Sequence, residues 1–433
     1  MSEVAIGIAG LIVVLGLFLT GIELGFAMAL IGFAGFAFVR SFGAASDLIA
    51  KDLFDVFSNY GYTVVPLFIL MGAAAFESGV AKKLFRASDR FLGHIPGGMA
   101  MATVAAATIF KAISGSSPAT AATFAVAAVP EMDKYGYDKK LSTGVVSVVV
   151  TLGVLMPPSV FLIIFGIVTE QSIGKLFLAG IVPGLICAVF FLAIIYGWCR
   201  INPAVGPKGN RSTWRERFSS LPEVIWVVVV FLILIAGLVK GFFTATEAGS
   251  VAAFVVIGVC ILKGDLNFKG FLKSVQDTLS ASSMAITLIA GSVIFGHFLA
   301  VTTIPMVAAD WIVALPLNRH IIIILITLVY LMGGSFIDDM AFMILATPVF
   351  YPAVTKMGFD PLWFGMIIAV TVMIGVVIPP VALNVFVVKQ ITKVPFGVIY
   401  KGVYPFLIAL VLCGVLLFVF PQIATFLPNM LMK

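Results

Sequence analysis

The chain has 433 residues, of which 61% are hydrophobic and 11% charged, with a net charge of +6. Soluble domains carry about 25% charged residues, so this composition excludes an ordinary soluble enzyme or nucleic-acid-binding protein and reads as a polytopic membrane protein. The positive surplus then belongs to cytoplasmic loops rather than to a nucleic-acid surface.

In chain order, the first apolar run, 4–20, has neither a basic leader nor a small-residue cleavage site and is expected to be a retained crossing. A second crossing is predicted over 24–39, an amphipathic arm along the membrane surface over 46–58, and a third crossing over 62–79. The apolar segment 97–133 has a polar break at its middle, "SGSSPAT" at 114–120, and is predicted as a re-entrant hairpin. Crossings over 142–168 and 176–199 complete a first half. The longest polar stretch, 200–218, separates it from crossings over 222–241 and 245–262, a second arm at 264–276, and a crossing over 280–300. A second hairpin, 320–355, carries the tip "GGSFIDD" at 333–339, and crossings over 362–388 and 398–427 follow.

The expected organisation is therefore a first repeat at 1–200, a cytoplasmic linker at 201–221 and a second repeat at 222–433. With this topology 18 Lys and Arg residues fall on one face and 7 on the other, with Lys111 inside the first hairpin. That bias places both termini on the periplasmic side. The orientation rests on charge, whereas re-entrance rests on the polar tips. Cys187, Cys199, Cys260 and Cys413 lie in apolar runs without metal-like spacing, and His94, His297 and His320 are scattered, so no disulfide framework or His/Cys metal site is expected.

The halves resemble each other. Shifting 130–183 by 222 places Pro130 on Pro352, Gly136 on Gly358, Gly153 on Gly375, Pro157 on Pro379, Pro158 on Pro380, Gly180 on Gly402 and Pro183 on Pro405. Chance predicts roughly 0.6 such matches, so the segment is a repeat. Upstream, "ELGFAMA" at 23–29 matches "EAGSVAA" at 247–253, and Gly72 and Gly115 match Gly291 and Gly334. Five crossings per half is an odd number, so the second half enters the bilayer inverted, as in many secondary transporters. An old duplication in a channel or membrane enzyme is the alternative.

The repeat is best kept where a helix should be worst, at "TLGVLMPPSV" (151–160) and "MIGVVIPPVALN" (373–384). Proline has no N–H and clashes with the carbonyl four residues earlier. Pro157 and Pro158 thus free the carbonyls of Gly153 and Val154, and Pro379 and Pro380 free those of Gly375 and Val376. In hydrocarbon such groups need a partner. A water or neighbouring hydroxyl would make each a simple kink. Two matching breaks in inverted halves, each beside a polar tip, favour alkali cations instead. Hydroxyls and amides at the tips would then line a polar cavity at mid-depth.

Asp338 and Asp339 could hold sodium or carry a proton, or one could cap the following half-helix. Lys111 could pair with a substrate carboxylate, but one turn before the tip its stem is expected to snorkel to the surface. Glu23 and Glu247 read as charges at helix N-termini.

At "AISGSSPATAA" (112–122), "PEMDKYGYDKKLSTG" (130–144), "GVLMPPS" (153–159), "TATEAG" (244–249) and "GVVIPPVALN" (375–384), the chain resembles the large (DctM-type) membrane subunit of TRAP, tripartite ATP-independent periplasmic, transporters. The resemblance runs over essentially the whole chain. It implies an elevator-type, all-α importer of a small organic acid in the bacterial inner membrane, driven by sodium ions without an organic cofactor. It also implies a periplasmic substrate-binding protein and a small four-helix membrane subunit as partners. By similarity one sodium ion would lie at Ser114, Ser116, Gly153, Met156 and Pro158, mostly on backbone carbonyls, and a second at Gly334, Thr371, Gly375, Ile378 and Pro380. Substrate would sit near Ser117, Thr120 and Asn384. The second tip lacks the serine-rich pattern of the first. A stand-alone sodium/anion symporter of the same superfamily and a channel are rival readings. An intramembrane protease is a remote one, because Asp338 and Asp339 are adjacent and no aspartate on another apolar span completes a dyad.

Overall fold

A computed structural model describes residues 2–115 and 117–432. Ser116 and the side chain of Ser117 lie outside the described residues. The first half holds α1 (Glu3–Leu19), α2 (Leu24–Val39), α3 (Phe42–Ser58), α4 (Val64–Glu77), α5 (Val80–Leu92), α6 (Gly98–Lys111), α7 (Ser117–Ala127), α8 (Val129–Lys134), α9 (Lys139–Val149), α10 (Val160–Val168) and α11 (Ile173–Ile201). The second holds α12 (Trp214–Val239), α13 (Ala245–Leu262), α14 (Phe268–Val301), α15 (Ile304–Ala314), α16 (Arg319–Phe336), α17 (Asp339–Lys356), α18 (Pro361–Gly375), α19 (Leu383–Thr392), α20 (Phe396–Val419) and α21 (Gln422–Leu431). The protein is all-α and polytopic, and seven helices among the described residues are long and apolar enough to cross a membrane.

Helix starts follow from local chemistry. Thr213 with Glu216 and Thr244 with Glu247 form reciprocal capping boxes at α12 and α13, each satisfying two orphan N–H groups. Glu247 is thus an N-terminal charge, as expected; Glu23 sits at the N-cap of α2 without a side-chain bond. Asp360 accepts from Leu362 and Trp363 N–H ahead of Pro361, where proline is tolerated.

Several elements depart from the sequence reading. Helices α5 and α15 occupy stretches read as connections to the hairpins. In α5, Val80, Ala81, Leu84 and Phe85 turn inward while Lys82 and Arg86 stay exposed, so a basic run concealed an amphipathic helix. The first arm is a separate helix, α3, but the second is simply the start of the 34-residue α14. "SNYGYT" supplies the turn at 58–63, where the Asn59 side chain accepts from Gly61 N–H at 2.7 Å. The matching part of α14 has neither Gly nor Pro and the helix runs through. The final crossing ends at Val419 rather than 427, because Pro421 disfavours helical backbone at Phe420. Helix α12 begins within the segment read as linker.

Packing pairs elements across the halves: α2 lies along α14 and α13 along α4, while α9 contacts α20 and α18 contacts α11. The first contact is backbone to backbone. A Cβ on Gly291 would strike the Gly25 carbonyl oxygen, with Gly25 Cα at 3.0 Å. Helices α9 and α18, which lead into the two double-proline segments, are buried along nearly their whole length. The core therefore sits around the breaks, while α1 and α12 present exposed apolar residues such as Ile12, Leu19, Leu232 and Ile233.

Candidate functional site

Both expected interruptions are present. After α9 the chain tightens into a 3₁₀ turn over Val150–Val154 and resumes helix only at Val160. After α18 it breaks at Val376 and resumes at Leu383. The Pro157–Pro158 and Pro379–Pro380 bonds are both cis.

The freed carbonyls divide the same way in each half. Val154 O accepts from the Ser159 hydroxyl at 2.8 Å, and Val376 O accepts from the Asn384 N–H at 3.4 Å. Among the described residues no backbone N–H donates to the carbonyls of Gly153 or Gly375. A neighbouring hydroxyl thus satisfies one group, as a simple kink would have it, while a glycine carbonyl remains at each break.

Each hairpin tip meets its own break. A Cβ on Gly115 would lie 3.8 Å from Pro158 O, and one on Gly375 would lie 3.0 Å from Gly334 C and 3.1 Å from Gly334 O. Val381 N–H donates to Ser335 O at 3.2 Å, tying the second tip down. In the first tip, the Ser114 and Thr120 hydroxyls lie 3.5 Å apart and both are buried. Gly72 of α4 backs this turn, its would-be Cβ 3.2 Å from Ser114 Cα. Met156 turns its thioether toward Gly184, and the Thr371 hydroxyl donates to Ile367 O at 2.8 Å. Ile378 is half-buried and Pro380 exposed, whereas Pro158 is buried.

A cavity of about 520 Å³ joins the two halves. Gly115 and Gly153 line it from the first half, and Asp338, Asp339, Val376 and Asn384 from the second. Asn384 is 2% exposed, and its Nδ2 has no hydrogen-bond partner among the described residues. Thr120 is fully buried beside Ser114 and does not line the cavity. Asp338 caps α17, accepting from Ala341 N–H at 3.3 Å, and Asp339 Oδ1 accepts from Met340 N–H at 2.9 Å. The capping alternative therefore holds for Asp338, and both carboxylates also face the cavity.

The match to known families decides what this arrangement belongs to. The model of the tripartite ATP-independent periplasmic transporter DctM component covers residues 11–423. The chain is a DctM-family protein. It is 33% identical to the C4-dicarboxylate TRAP transporter large permease protein DctM of Pseudomonas aeruginosa, over 88% of this chain and 90% of that one. It is 30% identical to the sialic acid TRAP transporter large permease protein SiaM of Vibrio cholerae, over 96% and 97%. The relatives are permease proteins, not enzymes. In fold it resembles the crystal structure of the Alcanivorax borkumensis YdaH transporter, with a TM-score of 0.62 and 14% identity over 88% of this chain and 89% of that one.

Two features of this DctM-family site escaped the sequence reading. Asp277 of α14 lines the cavity; its only signal is a carboxylate just past the amphipathic stretch. Lys111 does not snorkel. It is 0% exposed, and a Cβ on Gly153 would strike its Nζ, with Cε at 2.6 Å and Cδ at 2.7 Å. Helix α6 ends at Lys111, whose side chain packs on Gly153 of the 3₁₀ turn and is fully buried, so its four-carbon stem finds no solvent edge.

Proposed function

We propose that this chain is the large permease subunit of a sodium-coupled importer of a small organic acid in the bacterial cytoplasmic membrane. The observation that carries this reading is a cavity at which both hairpin tips and both broken helices meet, with the Asn384 Nδ2, unpartnered among the described residues, on its wall. An amide N–H is suited to a substrate carboxylate or carbonyl oxygen. Carbonyl and hydroxyl oxygens suit alkali cations, and the second break, with Gly334 and Gly375 in main-chain contact, fits such an ion. The acidic wall adds support. Asp277, Asp338 and Asp339 line the cavity, and a cation entering with the acid would offset the repulsion from any of them that is ionised.

Ion binding would order the tips and raise substrate affinity, which is reciprocal coupling. The hairpins and broken helices would move as one block against a scaffold that includes α2, α4, α13 and α14, exposing the cavity to each side in turn. Both termini would lie on the periplasmic side. A periplasmic binding protein would deliver the substrate, and a small four-helix membrane subunit would pack beside the scaffold. The test is reconstitution in liposomes with those partners and a panel of carboxylates under an imposed sodium gradient. Uptake that needs the gradient and the binding protein is expected. Uptake indifferent to sodium would overturn the coupling, and uptake without the binding protein would favour a stand-alone symporter.

A further inference from the structure

The two breaks are not equivalent, and one side chain makes the difference. At the first, the buried Lys111 packs its Nζ, Cε and Cδ over Gly153. The register that aligns Gly115 with Gly334 aligns Lys111 with Tyr330. Tyr330 is also fully buried, but it carries no charge, and its hydroxyl lies 3.1 Å from Thr347 Oγ1. The second break is instead closed by main chain, Gly375 against Gly334. We infer that the Lys111 ammonium serves as a built-in cation at the first break, so that the chain binds one sodium ion fewer than its two breaks provide for. This rests on the sodium-coupled reading above and specifies its stoichiometry.

The chemistry fits the position. An ammonium has sodium's charge and three donors with no acceptor, so it suits a carbonyl oxygen such as that of Gly153, to which no backbone N–H donates among the described residues. A buried charge also needs an opposite one, and the carboxylates of Asp338 and Asp339 line the same cavity as Gly153, on which Lys111 packs. Access differs as well. Pro379, Pro380 and Val381 at the second break are exposed. Pro157 and Pro158 at the first are buried beneath Phe68, Phe177, Leu234 and Leu238. An entering ion meets exposed prolines at the second break and finds the glycine of the first already packed under Lys111.

The test is sodium binding by calorimetry on the purified full-length chain with its membrane partner, comparing wild type with Lys111→Met, which keeps the stem and removes the charge. The variant is expected to bind one more sodium ion per chain, with a steeper sodium dependence. Equal stoichiometry would overturn this inference and leave sodium coupling standing, whereas no binding by either protein would overturn both. If Lys111→Met does not insert, Gly375→Val in the wild-type background decides. Complete loss of sodium binding is expected, and an ion retained at the first break would overturn the inference.

Discussion

Gly375 stands against Gly334 so closely that a side chain on Gly375 would come within 3.0 Å of the Gly334 carbonyl carbon. The end of α18 and the second hairpin tip are thus held as two bare backbones. Gly375→Val should drive them apart and remove the carbonyl pair that would hold an ion. We expect sodium-dependent uptake to fall at least ~10-fold, the effect of losing about 1.4 kcal/mol of coupling, while membrane insertion is retained. Uptake at the wild-type rate in proteoliposomes would show that this contact is only packing.

Asn384 offers a more selective probe. Its N–H already donates to Val376 O, and its side-chain Nδ2 has no partner among the described residues. Asn384→Ala should therefore leave the break intact and remove one substrate hydrogen bond. A bond to a charged group contributes about 1.5–3 kcal/mol, so KM is expected to rise roughly 10- to 100-fold. An unchanged KM measured over a full substrate titration would take Asn384 out of the substrate site.

The arm α3 is fastened to α14 by His297 Nδ1, 2.8 Å from the buried Asp52 carboxylate. His297→Ala would strand that carboxylate. Thermal unfolding in detergent should show a loss of about 1–3 kcal/mol, with little effect on sodium affinity. No change in melting would mean that the pair contributes nothing to docking the arm.

The α2–α14 contact gives a matched pair of variants. At Gly291 a side chain would hit Gly25 backbone, whereas at Gly296 it meets nothing within 4 Å. Gly291→Leu should cost about 1–3 kcal/mol or more, since main chain must move, and Gly296→Leu should be near neutral. Expression and size-exclusion profiles of the two variants check this. Equal behaviour would contradict the close crossing.

How much of this was legible in the sequence depended on whether the signal was periodic or spatial. The double-proline breaks were readable because proline acts on its own backbone, and both interruptions lie at the prolines that predicted them. Asn384 was reached through resemblance alone, and its unpartnered amide became visible only in three dimensions. Lys111 was misjudged for a related reason. Sequence shows the length of its stem but not that it packs on the 3₁₀ turn with no exposed edge. Helix α5 was hidden by its charges, and the continuity of α14 by the expectation that the two halves would bend alike. Only the first half has Asn59 and Gly61 to make that bend.

The two breaks mend their second loose carbonyl by different means, Ser159 with a hydroxyl and Asn384 with main chain. A single atom change at Ser159 can undo the first repair, but no side-chain replacement short of proline can undo the second. Selection can therefore retune the stiffness of one break in small steps while the other is protected by the polypeptide itself.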